Sequence, residues 1–140
     1  MTNKGHYFYR FMKQKNRYVI RAKISEKRFR TFLRSFAAGL STRIIARKAK
    51  MNRNTVNKLS LMLRARMAED CADGQCAAIR LKAGEKFWRY VRVRFARIKR
   101  VHKHRAHLHL KECEWRYAHK DKNVYAVLLA MLRKRPIKYS

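Results

Sequence analysis

Charge constrains this chain before any pattern does. Its 140 residues carry 38 Lys and Arg against 8 Asp and Glu, a formal net charge of +30. Self-repulsion on that scale opposes a compact state unless a polyanion offsets it. Yet 47% of the residues are hydrophobic, too many for a disordered basic tail. One domain or two very small ones are expected, with nucleic acid as the partner, because phosphate neutralisation releases counterions. A basic membrane-surface protein is the competing class, set aside because the bases run along the whole chain and no amphipathic anchor stands out. No run is long enough to span a bilayer, and MTNKGHYFYRFMKQ lacks a signal peptide's apolar core. The cysteines Cys71, Cys76 and Cys113 are odd in number and suggest no disulfide framework, so the chain reads as cytoplasmic and reduced.

Periodicity divides the chain into four segments and predicts a mainly α fold with little or no sheet. Residues 1–24 form a basic, aromatic arm or short strand, YFYRF followed by RYVIRAKI. Residues 25–68 read as three helices. Ser25 caps the first, Phe29, Phe32, Leu33 and Phe36 repeat at helical spacing, and Gly39 stops it. Ser41 or Thr42 starts the second, and Asn52 the third, whose Val56, Leu59, Leu63 and Met67 share one face. Residues 69–84, EDCADGQCAAIRLKAG, read as a linker. Residues 85–140 return to helix. Trp88, Val91, Phe95 and Ile98 make one stripe and Ala106, Leu110, Cys113 and Tyr117 another. Asn123 caps a last helix that Pro136 ends.

The stretch ARKAKMNRNTVNKL has the pattern of a helix-turn-helix, in which one helix crosses the DNA backbone and the next enters the major groove. Ala46 supplies the small residue where two helices approach closely, and Ile45, Ala49, Met51, Val56 and Leu59 fall at inner-face offsets. Arg53, Asn54, Asn57 and Lys58 are then left pointing outward, with Arg43 and Arg47 on the preceding helix. Asparagine can pair bidentately with adenine and arginine with guanine, each worth roughly 1–3 kcal/mol of discrimination. One position departs from the motif: Lys50 stands where the tight turn usually carries Gly, and a positive φ there costs on the order of 1 kcal/mol. An ordinary helical hairpin with solvated charges is the alternative.

Other signals are weaker. Cys71, Cys76, His102, His104, His107, His109 and Cys113 invite a zinc site, with His109 and Cys113 on one helical face, but the Cys71–Cys76 spacing is wider than a knuckle's, no second cysteine pair exists, and Cys113 reads as a small packing residue. The arm's Tyr7, Phe8, Tyr9 and Phe11 could stack on unpaired bases or simply pack. Arg89, Arg92, Arg94, Arg97, Lys99 and Arg100 surround the first C-terminal stripe, as a solvated face or a phosphate contact. Neither a phosphate-cradling glycine loop nor a catalytic triad is present, and no small-molecule substrate is suggested.

Three stretches together resemble one family. KISEKRFRTFL with GLSTRIIARKAKMNRNTVNKL, then GEKFWRYVRVRFARIKRV, then HLHLKECEWRYAHKDKNVYAVLLAMLRKRP are similar to the two ends of bacterial insertion-sequence transposases of the ISXO-like group. Phe87, Trp88 and the run from His109 to Arg116 match that family's helical C-terminal piece residue for residue. The family places an RNase-H-like catalytic domain between these ends, with acidic residues that hold Mg2+. Here only the linker 69–84 stands in that place. Asp70, Asp73 and Asp121 lack a strand-like context, and Glu85 alone falls at or beside the third metal-binding position. Two-metal phosphoryl transfer needs the missing carboxylates to clamp the attacking and leaving oxygens.

The resemblance therefore implies a DNA-binding protein that recognises insertion-sequence ends, with no catalysis and no metal or other cofactor of its own. Residues 85–140 would be the helical remnant of the transposase domain. Double-stranded DNA is the expected partner, and a second copy or a full-length transposase the expected protein partner, in the bacterial cytoplasm at the nucleoid. A transposase subunit active only with a full-length partner and a general basic nucleic-acid-binding protein are the alternatives. Without a sheet to pack on, Trp88, Phe95, Trp115 and the Leu128–Leu132 face must find each other or a partner chain, so a loosely packed or dimeric C-terminal half is expected.

Overall fold

The computed structural model describes residues 16–72, 74–98 and 102–139. Seven α-helices dominate them, as expected: α1 Glu26–Ala37, α2 Thr42–Ala49, α3 Arg53–Asp70, α4 Gln75–Ala83, α5 Glu85–Arg97, α6 Ala106–Ala118 and α7 Val124–Lys134. A 3-10 turn, Lys103–Arg105, precedes α6. Two short strands, β1 Val19–Ile20 and β2 Ile137–Lys138, pair in parallel with Val19 opposite Ile137. The aromatic residues Tyr7 to Phe11, together with Asp73, Lys99 and Arg100, lie outside the described residues. Among the described residues, no helix is long and apolar enough to cross a membrane.

The chain divides into two compact units. The first joins Met1–Leu59 to Tyr125–Ser140, and the second is Ser60–Val124. The division falls inside α3 rather than at the 69–84 segment. That segment is no linker, because α4 occupies most of it. Ala77, Ala78 and Ala83 lie within α4, alanine being the best helix former.

In the first unit, local chemistry sets each boundary. The Ser25 hydroxyl accepts from the Arg28 amide at 3.2 Å to open α1. Gly39, at φ 79°, closes it as a Schellman motif, its amide donating to Phe36 and that of Leu40 to Ser35. Phe29, Phe32, Leu33 and Phe36 are buried, and Tyr18 stacks on Phe29 at 6.1 Å. Asn16 ties the start of the described chain down. Its Oδ1 accepts from the Tyr18 and Val19 amides, and its Nδ2 donates to the Ile24 carbonyl. Pro136 ends α7, and the chain then runs back so that the Ile137 amide donates to Tyr18 and the Tyr139 amide to Ile20, both at 2.9 Å. Leu128, Leu132 and Ile137 are buried, so the end of the chain belongs to the same unit as its beginning.

The second unit has its own core. Phe87, Val91, Cys113 and Tyr117 cluster between α5 and α6, with Ala83, Tyr90, Phe95 and Leu110 packed around them. The inward stripe of α5 is thus Phe87, Val91 and Phe95, one residue away from the expected start at Trp88, which is 44% exposed. Trp115 is fully buried and its Nε1 donates to Asp70 at 2.8 Å. Cys71 and Cys76 form a disulfide across the turn from α3 to α4, with Cα atoms 5.3 Å apart, so the expectation of reduced thiols is corrected at this pair. Cys113 remains a buried thiol.

Candidate nucleic-acid interface

The geometry around Ala46 starts from two caps. The Ser41 hydroxyl accepts from the Ile44 amide to open α2, and Asn52 Oδ1 accepts from the Asn54 amide at 2.8 Å to open α3. Between them Lys50 takes the left-handed conformation, φ 54° and ψ 48°, and the Met51 amide returns to Ala46 at 2.9 Å. The lysine that stood in the glycine position therefore does carry the strained φ. A feature absent from the sequence reading holds it there. Arg28, one turn into α1, donates Nε to the Ala49 carbonyl at 3.3 Å and Nη2 to the Lys50 carbonyl. Its guanidinium supplies donors that the end of α2 otherwise lacks. Ile45, Ala46, Ala49, Met51, Val56 and Leu59 are all buried.

The same turns expose Arg43, Arg47, Arg53, Asn54 and Asn57. Lys58 is only half exposed, its ammonium 4.4 Å above the Tyr139 ring. Thr42 Oγ1 donates to Asn57 Oδ1 at 3.2 Å, so bidentate pairing of that amide with a base requires Thr42 to let go. Electrostatics here follow from a gap in the sequence: no acidic residue occurs between Glu26 and Glu69. Beside the start of α3 lies a cleft of about 480 Å³ with Arg21, Lys23, Arg28, Asn52, Thr55 and Tyr139 on its walls. Three of those six side chains are cationic and none is acidic.

In the second unit the carboxylates go inward. Glu112, 2% exposed, accepts from Arg64 Nε at 2.7 Å, Arg94 Nη2 at 3.0 Å and Arg116 Nε at 2.9 Å. Burial alone would push its carboxyl up, but Arg116, Arg64 and Arg94 outweigh it and hold it at about 2. Glu114, equally buried, accepts from Arg80 at 2.6 Å and Lys111 at 3.3 Å. Sequence periodicity missed both glutamates because charged residues read as an outer face. Their signal was rarity, two of only 8 acids standing within three residues of each other.

Glu85 is exposed at the start of α5 and bridges Arg92 at 2.7 Å. Asp70 holds Trp115, and Asp121 is exposed. Among the described residues no three His, Cys, Asp or Glu side chains gather closely enough to hold a metal ion. Burial pushes the Cys113 thiol up to about 11, with Arg94 opposing and Glu112 adding, and it packs in the apolar cluster of Phe87, Val91 and Tyr117. Burial also lowers His109 below its usual value, helped by Arg64. No protein-family model, curated protein or solved structure matches this chain.

Proposed function

We propose that the chain is a transposase-derived DNA-binding protein of the ISXO-like type, which reads insertion-sequence ends with a helix-turn-helix made of α2 and α3 and performs no strand chemistry of its own. The observation that carries this reading is the exposed, acid-free surface bearing Arg43, Arg47, Arg53, Asn54 and Asn57 over a buried inner face. Arg53, Asn54 and Asn57 occupy the first turns of α3, the part of such a helix that meets base edges. Arg43 and Arg47 sit at i and i+4 on α2, spaced to contact phosphate. Lys58 contributes once Tyr139 releases it. The bases of the neighbouring cleft extend the phosphate contact. Duplex DNA at the bacterial nucleoid is the partner, and full-length transposase a competitor for the same ends.

Selection from a random duplex library at physiological salt tests the reading. Wild type is expected to enrich a defined motif, and Arg53→Ala/Asn57→Ala to lose it. Binding without enrichment, unchanged in the double variant, would overturn the reading in favour of a general basic nucleic-acid binder.

A further inference from the structure

The outer face of α5 has no role in the reading above, and the core leaves it bare. Phe87, Val91 and Phe95 turn inward, while Glu85, Lys86, Trp88, Arg89, Arg92, Val93, Ala96 and Arg97 are exposed. Trp88 and Arg92 are one turn apart, as are Arg89, Val93 and Arg97, so the two rows adjoin on one side of the helix. Glu85 neutralises Arg92. Lys86, Arg89 and Arg97 have no carboxylate partner among the described residues, because Glu112 and Glu114 are bound inside the unit. Three uncompensated cations thus share this exposed face with two large apolar side chains, Trp88 at 44% and Val93 at 53% exposure.

That mixture selects among partners. A duplex offers its phosphates outward but keeps its base faces stacked, so it would satisfy the cations and leave Trp88 and Val93 wet. Another protein copy would cover the apolar pair but set three cations against an equally basic chain. An unpaired strand presents phosphate and bare base faces together, and the face spans about 16 Å from Lys86 to Arg97 at helical rise. We infer that the outer face of α5 binds single-stranded nucleic acid, with Trp88 as the stacking platform and Lys86, Arg89 and Arg97 as phosphate contacts. This inference uses residues of the second unit and stands independently of the helix-turn-helix reading.

The chain carries its own reporter, because Trp115 is fully buried and Trp88 is the other of its 2 tryptophans. Full-length protein titrated with a single-stranded thymidine 20-mer should show quenched emission, and Trp88→Phe should abolish the quench. Trp88→Ala should weaken binding of that strand by about five- to hundred-fold. Lys86→Ala/Arg89→Ala/Arg97→Ala should lower the slope of log affinity against log salt by about 2. Both variants change exposed side chains, and unchanged far-ultraviolet circular dichroism checks that they fold. Duplex selection through Arg53 and Asn57 should survive both, whereas Arg53→Ala/Asn57→Ala should leave the thymidine quench intact. Absence of the quench, affinity unchanged in the two α5 variants, or self-association that Trp88→Ala abolishes would each overturn the proposal.

Discussion

Replacing Glu112 with glutamine keeps the side chain's shape and removes its charge, leaving the guanidiniums of Arg64, Arg94 and Arg116 around a neutral amide. The cost can be worked in two ways. A carboxyl held at about 2 in the folded unit, against 4.5 as its ordinary value, corresponds to roughly 3 kcal/mol. Removing one partner of a buried ionic cluster independently costs about 3–5 kcal/mol, because the remaining charges stay buried without compensation. The two estimates agree near 3 kcal/mol, a large share of the 5–15 kcal/mol typical of a whole folded protein. With an m-value of about 2 kcal/mol/M, the urea midpoint should fall by about 1.5 M, followed through the emission of buried Trp115.

Dependence on pH separates charge from packing. The folded carboxyl is depressed, so its contribution is complete above about 4.5 and is lost as pH falls towards about 2. The gap between wild type and Glu112→Gln should therefore be constant from pH 7 to 5 and close as the pH approaches 2. A midpoint shift below about 0.5 M, or a gap that ignores pH, would refute the claim that this carboxylate anchors three arginines. Replacing all four residues by apolar ones is a different perturbation, since a buried ionic cluster need not be more stable than a well-packed apolar one.

Three further outcomes follow from the same geometry. Lys50→Gly should raise the thermal midpoint slightly, because relief of about 1–2 kcal/mol of left-handed strain exceeds the roughly 0.5–1 kcal/mol of extra chain entropy glycine loses; Lys50→Ile should lower it. Cys71→Ser/Cys76→Ser, or added reductant, should destabilise the second unit by about 2 kcal/mol, the loop-closure value for so short a span, read as a thermal shift. Ile137→Asp, at a buried position of β2, should destabilise the first unit by more than about 2 kcal/mol and abolish enrichment of any duplex motif, although Ile137 is far from α3 in sequence. Unimpaired selection by that variant would show that Met1–Leu59 folds without the end of the chain.

What could be read in advance was what the chain decides locally. Ser25, Ser41 and Asn52 open helices because a side-chain oxygen meets an amide two or three residues on, and the spacing of Phe29, Phe32, Leu33 and Phe36 needs no distant partner to be interpreted. The candidate interface was legible for the same reason: inner-face offsets around Ala46 dictate which of Arg43, Arg47, Arg53, Asn54 and Asn57 are outward. Lys58 escaped because its neighbour Tyr139 comes from the other end of the chain. The pairing of β1 with β2 was hidden likewise, as a two-residue strand has no periodicity to detect. On α5, Phe87 and Trp88 are adjacent aromatics, and only Cys113 and Tyr117 on α6 decide which turns inward.

The distribution of acids sets the charge of the exposed faces more directly than the net charge does. Of 8 acidic residues, Glu112 is bound by three arginines and Glu114 by Arg80 and Lys111 inside the second unit, Asp70 by Trp115, Glu26 by Arg17 and Glu85 by Arg92. The pairs at the surface, Glu26 with Arg17 and Glu85 with Arg92, stabilise the chain little. Placing Glu112 and Glu114 inside lets arginines take part in a core, while no acid occurs between Glu26 and Glu69 and only Glu85 sits on the outer face of α5. If the proposed nucleic-acid binding holds, phosphate relieves self-repulsion among the exposed bases, and a strand that binds these faces should also raise the thermal midpoint of the protein.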